Sequence, residues 1–265
     1  MSVIIFLIIL SVLVIVHELG HFGVAKYFGI RVDEFGLGYP PKAKKLFRWK
    51  GTDFTLNWLP FGGFVKIFGE NYDDTGLENS KESFQHKNKG IQASVLAAGV
   101  VMNFLFAWLI LSAVFFSGIA APLSAARPEG LSIVSSVSAG LRASVKITTD
   151  TGVALGTLLS QAVVGHADLS ELSGPVGIVG MVGDVRALGL GYLLTFTALI
   201  SLNLCIVNLL PFPALDGGRL LLVAIEAVTR RRVPARIFNT LNTVGFALLI
   251  LLMVLITIHD VSNIL

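Results

Sequence analysis

The chain has 265 residues, 54% of them hydrophobic and only 14% charged. Soluble globular domains carry about a quarter charged residues, so an ordinary water-soluble fold is excluded. The net charge of +3 does not mark a nucleic-acid binder, because the basic residues gather in loops beside apolar spans and form no stripe.

The first apolar segment runs from Ser2 to Phe28. It exceeds the roughly 20 residues needed to cross a bilayer. It lacks a basic leader and a small-residue cleavage site, so it is expected to persist as a helix. Inside it stands His17-Glu18-Leu19-Gly20-His21, an H-E-x-x-H sequence. On a helix the two histidines are i and i+4, and both imidazoles leave the same face, as one zinc ion requires. Glu18 sits one step round, placed to act as a base on a water instead of as a ligand. A chance match or a purely structural metal site is the bland alternative. Two imidazoles and a carboxylate are costly in a bilayer unless paired or coordinated, and this favours a working site.

Val32 to Gly69 is not a spanning helix. Phe35 to Pro41 reads as turn-rich, and Lys45–Trp49 and Asp53–Trp58 read as short strands split by Lys50-Gly51-Thr52. Pro60-Phe61-Gly62-Gly63-Phe64-Val65-Lys66 then suggests a strand after a close backbone turn. Strands beside a membrane must pair, and an unfilled edge could accept an extended peptide. The alternative is an amphipathic hairpin on the membrane surface.

Three more segments are long enough to span: Ile91 to Gly118, Ala187 to Leu215 and Ile237 to Ile258. Thr151 to Val164 is apolar but short, and is predicted to be an interfacial or partly buried helix. Cys205, the lone cysteine, falls in the third span and reads as a small buried side chain. That span closes on Asn208-Leu209-Leu210-Pro211-Phe212-Pro213-Ala214-Leu215-Asp216-Gly217-Gly218. Pro211 and Pro213 cannot continue a helix, so the backbone opens there. A hydrolytic zinc site needs a third ligand beyond two histidines, and Asp216 is the best candidate. Its competing role is a cap for a helix over Gly217–Val228. His86, His166 and His259 have no partner at ligand spacing and read as ordinary histidines. Asn239 and Asn242 are expected to bond between helices.

Eleven Lys or Arg residues lie between Lys26 and Lys89, and five more between the third and fourth spans. The positive-inside rule makes these loops cytoplasmic, places both termini outside, and sets the histidine motif toward the cytoplasmic face.

These stretches together resemble the site-2 proteases, intramembrane zinc metalloproteases. The matching segments are His17 to His21, Pro60 to Lys66, Ala97-Ala98-Gly99 with Asn103, Ser173-Gly174-Pro175-Val176-Gly177-Ile178, and Asn208 to Gly218, in the family's order. The resemblance implies zinc held by His17, His21 and Asp216, with Glu18 as catalytic base. It implies that Gly62, Gly63, Phe64 and Val65 lie in a membrane-re-entrant β-hairpin that helps present substrate. It implies that Asn208, Pro211 and Pro213 line the substrate site. Two departures stand out. No proline follows Gly99, and residues 120–150 leave too little chain for the PDZ domain that similar relatives insert there.

The expectation is a polytopic α-helical membrane protein with about four transmembrane helices and a small membrane-re-entrant hairpin over residues 29–70. All 265 residues would form one membrane-embedded domain of a bacterial inner membrane. It would bind Zn2+, sit in the lipid bilayer, cleave single-pass membrane proteins, and bind no nucleic acid. The alternative class is a non-proteolytic zinc-binding membrane protein, a carrier or inactive scaffold. A carrier has little need of Glu18 beside two ligands.

Overall fold

A computed structural model describes residues 1–70, 80–123, 130–165 and 173–264. In order, the elements are α1 (Ser2–Tyr27), β1 (Val32–Trp49), β2 (Thr52–Ile67), a 3-10 turn (Phe84–His86), α2 (Lys89–Ser117), α3 (Ile133–Val163), α4 (Pro175–Leu188), α5 (Leu190–Leu209), α6 (Asp216–Thr229) and α7 (Ala235–Ile264). Four helices are long and apolar enough to cross a bilayer: α1, α2, α5 and α7. Phe246, Leu248, Leu251 and Leu255 of α7 stay exposed, as lipid-facing side chains would.

The chain divides into two compact units. One gathers Leu7–Asn103 and Val207–Ala247, the other Met1–Phe6, Phe104–Ile206 and Leu248–Leu265.

The first unit holds the hairpin. β1 and β2 form a two-stranded antiparallel sheet that reverses at Lys50 and Gly51, both in the left-handed region. The end of β1 pairs with the start of β2, as in Lys45 with Thr55, and its beginning pairs with the end of β2, as in Gly36 with Phe64. Glu34 to Leu37 also pair with Asp53 to Leu56, so this stretch is bonded on both edges. Strand therefore runs through Phe35–Pro41, where the sequence suggested turns. Gly36 and Gly38 serve close packing: a Cβ at Gly36 would strike the Phe64 ring, and one at Gly38 the Leu59 carbonyl. Pro40 and Pro41 fall where the register slips between Tyr39 and Lys42 and no ladder donor is needed.

Aromatic side chains fix the hairpin to α1. Phe22, next to His21, meets Phe35 and Phe54 edge-on, each with ring centroids 5.7 Å apart. Phe22, Ala25, Ile30, Val32, Phe35, Ile67, Phe84, Val95, Leu96 and Val223 form one buried core.

In the second unit α3 lies against the later half of α2. Gly140 leaves no room for a Cβ beside Ser112, and Trp108 Nε1 donates to the Val137 carbonyl at 2.9 Å. Ala107, Leu111, Ala198 and Leu202 form its buried core. The expected short helix at Thr151–Val164 is the last part of α3, which begins already at Ile133; Ser and Thr on α3 satisfy their hydroxyls on carbonyls one turn back, as Ser144 does on Gly140. The third expected span is also shorter than the sequence suggested. A break at Gly189 (φ 114°) separates α4 from α5, and α5 stops at Leu209 ahead of Pro211.

Asp260 of α7 ties down the start of α4. Its buried carboxylate accepts from the Gly174 N–H at 3.1 Å and the Gly177 N–H at 2.8 Å. Asp260→Ala would strand two donors, Gly174 N–H buried and Gly177 N–H half-buried. It should cost about 1–3 kcal/mol, visible as a lower Tm in thermal unfolding of the detergent-solubilised protein. An unchanged Tm would refute the anchoring role.

Candidate metal centre

α1 carries His17 and His21 one turn apart, both buried. Gly20 lets α2 come close, since a Cβ there would run into the Ala98 carbonyl and the Met102 side chain. From α2, the Val95 carbonyl accepts from His21 Nδ1–H at 2.8 Å, and the Asn103 amide meets His17 Nδ1 at 3.2 Å. The opening Leu210–Leu215 then delivers Asp216 to the same place. Ala214 in that turn adopts φ 73°, which costs a non-glycine residue of order 1–3 kcal/mol. Its N–H is held by Asn242 Oδ1 of α7 at 2.9 Å. Gly217 and Gly218 let α6 start tightly against the turn, because a Cβ at either would hit the carbonyls of Leu209, Leu210 or Phe212.

The result is a triangle of ligand-type atoms. His17 Nε2 lies 2.9 Å from Asp216 Oδ2, His21 Nε2 lies 3.2 Å from the same oxygen, and the two nitrogens are 3.1 Å apart. This is the one group of three His, Cys, Asp or Glu residues with metal-binding spacing among the described residues. Ligands about 2.0–2.1 Å from a tetrahedral zinc stand roughly 3.3 Å from one another, so the triangle matches one face of such a site.

The donor chemistry agrees. A carbonyl can only accept, so the proton of a neutral His21 is on Nδ1 and its Nε2 presents a lone pair. That lone pair faces another imidazole nitrogen and Asp216 Oδ2, an acceptor atom shut off from solvent. Convergent buried acceptors repel unless a cation joins them. Nor is Asp216 a helix cap. It is the first residue of α6, the cap position is Leu215, and no side-chain capping bond forms. Gly99 completes the fit: a Cβ there would overlap His21 Nε2 and the His17 ring.

Glu18 is half-buried and lies outside the triangle. A Cβ at Gly63 would be 3.8 Å from Glu18 Cγ, so the hairpin passes directly beside it. The other hairpin candidates differ in role. Gly62 adopts φ 82°, Phe64 lays its ring over Gly36, and Val65 packs on the core. Asn208 ends α5 half-buried, Pro211 is exposed, and Pro213 is half-buried against Gly245 of α7. All three belong to the segment that leads into Asp216. His86 is exposed and His259 lies near the end of α7, and neither is a member of the triangle; His166 lies outside the described residues.

Gly99 and Asn103 have no role legible in the sequence motif that contains them, and Val95 belongs to none of the motifs. The signal was available: 95, 99 and 103 are spaced i, i+4, i+8, one face of a helix. Asn242, expected to bond between helices, instead accepts from the Ala214 N–H in the turn ahead of α6.

The profile of peptidase family M50 matches residues 5–252. A candidate zinc metalloprotease of Clostridium perfringens is 32% identical over 98% of this chain and 98% of its own length. The zinc metalloprotease RasP of Geobacillus kaustophilus is 26% identical over 99% and 98%, and a candidate zinc metalloprotease of Helicobacter pylori 28% over 97% and 98%. The first alignment runs over 343 positions against 265 residues here, so that relative carries residues this chain lacks. The chain belongs to peptidase family M50, the site-2 proteases, which makes it an intramembrane zinc metalloprotease.

Proposed function

We propose that this chain hydrolyses a peptide bond within or beside the transmembrane helix of a single-pass membrane protein, using His17, His21 and Asp216 to hold zinc and Glu18 as the catalytic base. The observation that carries the reading is the triangle of ligand-type atoms from His17, His21 and Asp216, with the Glu18 carboxylate one residue from a ligand and outside the triangle. When bound, zinc polarises a scissile carbonyl and makes a neighbouring water acidic enough to attack near neutral pH. Glu18 takes that water's proton and later returns it to the departing amine. Asp216 and the two imidazoles stay fixed throughout, because each is anchored from behind by α2 or by the turn that Asn242 grips.

In this reading Gly62 to Val65 present the substrate. β2 pairs there with β1 from Val32 to Leu37, and a substrate strand added to the remaining edge would run beside Glu18. Asn208, Pro211 and Pro213 flank it on the Asp216 side. Residues 1–265 act as one membrane-embedded domain, with 120–150 standing where PDZ-bearing relatives insert. The Lys- and Arg-rich loops put the site toward the cytoplasmic face of a bacterial inner membrane, with both termini outside.

A helical substrate hides its carbonyls in internal bonds and must unwind before attack. A single-pass substrate with Gly, Asn or Pro in the cytoplasmic half of its helix should therefore be cleaved faster than the same helix stiffened with Leu. About 1 kcal/mol per replaced Gly predicts a roughly fivefold slowing each. The measurement is initial cleavage rate in proteoliposomes, with and without a zinc chelator. Equal rates for the two helices would overturn the unwinding step. Cleavage that survives complete zinc removal would overturn the zinc reading.

A further inference from the structure

α2 faces the metal centre with more than a wall. Val95, Gly99 and Asn103 occupy successive turns on one side of the helix. The Val95 carbonyl receives the His21 Nδ1 proton at 2.8 Å, and Gly99 keeps the space before both Nε2 atoms clear. Asn103 is fully buried, and its amide nitrogen stands 3.2 Å from His17 Nδ1.

A histidine that offers Nε2 to a cation as a neutral ring carries its proton on Nδ1. His17 Nδ1 must then donate, as His21 Nδ1 does to Val95. An amide can turn either its oxygen or its NH2 toward a given point, and the partner's tautomer decides which. We propose that Asn103 is a positioning residue of the zinc centre: with its amide turned so that the oxygen replaces the nitrogen at this contact, it accepts the His17 Nδ1 proton and holds the imidazole with Nε2 turned to the metal. The inference rests on the zinc-site reading above and adds a residue to it. The two histidines are thereby oriented by different devices on one helix, a backbone carbonyl for His21 and a side-chain amide for His17. The backbone device cannot be removed by substitution, whereas the side-chain device can.

The loss of such a partner typically lowers metal affinity 10- to 100-fold. The test is equilibrium competition for zinc against a chromogenic chelator, using the purified full-length chain in detergent. Asn103→Leu keeps the volume and removes the acceptor, and it should bind zinc about 10- to 100-fold more weakly. Asn103→Asp keeps an acceptor oxygen at the same place and should return affinity to within about threefold of the native chain. A cobalt-loaded sample should report the same order through its tetrahedral absorption bands, weakened in the Leu variant and recovered in the Asp variant. Zinc affinity in Asn103→Leu within about threefold of native would overturn the proposal. So would equal weakening in the Leu and Asp variants, which would mark Asn103 as a packing residue. His17→Ala and Asp216→Ala serve as controls. Native-like zinc binding in those two would refute the ligand set itself, and the positioning role with it.

Discussion

Glu18→Gln should leave one zinc per chain in place and lower hydrolysis by about a thousandfold. The substitution keeps the size of the side chain and its place beside Gly63, but an amide cannot take a proton from water. General base catalysis accounts for roughly 10²- to 10⁴-fold in comparable reactions, and a thousandfold corresponds to about 4 kcal/mol in the barrier. The expected separation is the point of the experiment. His17, His21 and Asp216 form the triangle, and Glu18, although adjacent in sequence to His17, is not part of it. Zinc content by elemental analysis should therefore be unchanged while the cleavage rate collapses. His21→Ala should fail in both measurements. If Glu18→Gln loses zinc as His21→Ala does, Glu18 is a ligand and the assignment of roles is wrong. If it cleaves at the native rate, another group is the base.

The separate legibility of ligands and frame follows from distance along the chain. His17 and His21 are one helical turn apart, so their convergence on one face is a local fact that any helix through Ser2–Tyr27 guarantees. Asp216 was reachable by chemistry, since a membrane-depth carboxylate after two prolines has few other uses. Its competing role as a cap could only be settled by the backbone, which puts the cap one residue earlier at Leu215. The contacts behind the ligands were not legible as roles. Val95 meets His21 and Asn103 meets His17 across 74 and 86 residues, and nothing in local periodicity says how α1 and α2 are rotated against each other. That rotation is set by Gly20 against Ala98 and Met102. The hairpin is legible in the sequence, but the turn reading of Phe35–Pro41 fails for a related reason. Glycine and proline in Phe35–Pro41 are turn residues in isolation, but Gly36 and Gly38 are small because Phe64 and Leu59 cross them. The third span was overextended at both ends because hydropathy does not register the left-handed Gly189 or the exact residue at which Pro211 ends the ladder.

Gly99→Ala should disable the metal centre by the addition of a single methyl group. Ordinarily glycine inside a helix destabilises it by roughly 0.5–1 kcal/mol relative to alanine, so the change ought to help α2. Here the added Cβ would overlap His21 Nε2 and the His17 ring. Neither ring can swing away freely, because His21 is bonded through Nδ1 to Val95 and His17 through Nδ1 to Asn103. Nor can α2 retreat, since Gly20 already packs on the Ala98 carbonyl one residue away. The methyl therefore competes for the volume that the triangle encloses on its α2 side. Zinc affinity should fall by about a hundredfold or more, and hydrolysis with it, while the helix content seen by circular dichroism stays native. Gly23→Ala is the matched control. It lies on α1 only two residues beyond His21, nothing stands within 4 Å of its would-be Cβ, and it should keep zinc while raising the thermal stability slightly. Gly99→Ala that bound zinc as Gly23→Ala does would mean that the imidazoles have room to rotate. The metal would then sit away from the α2 face, outside the space that Gly99 keeps open.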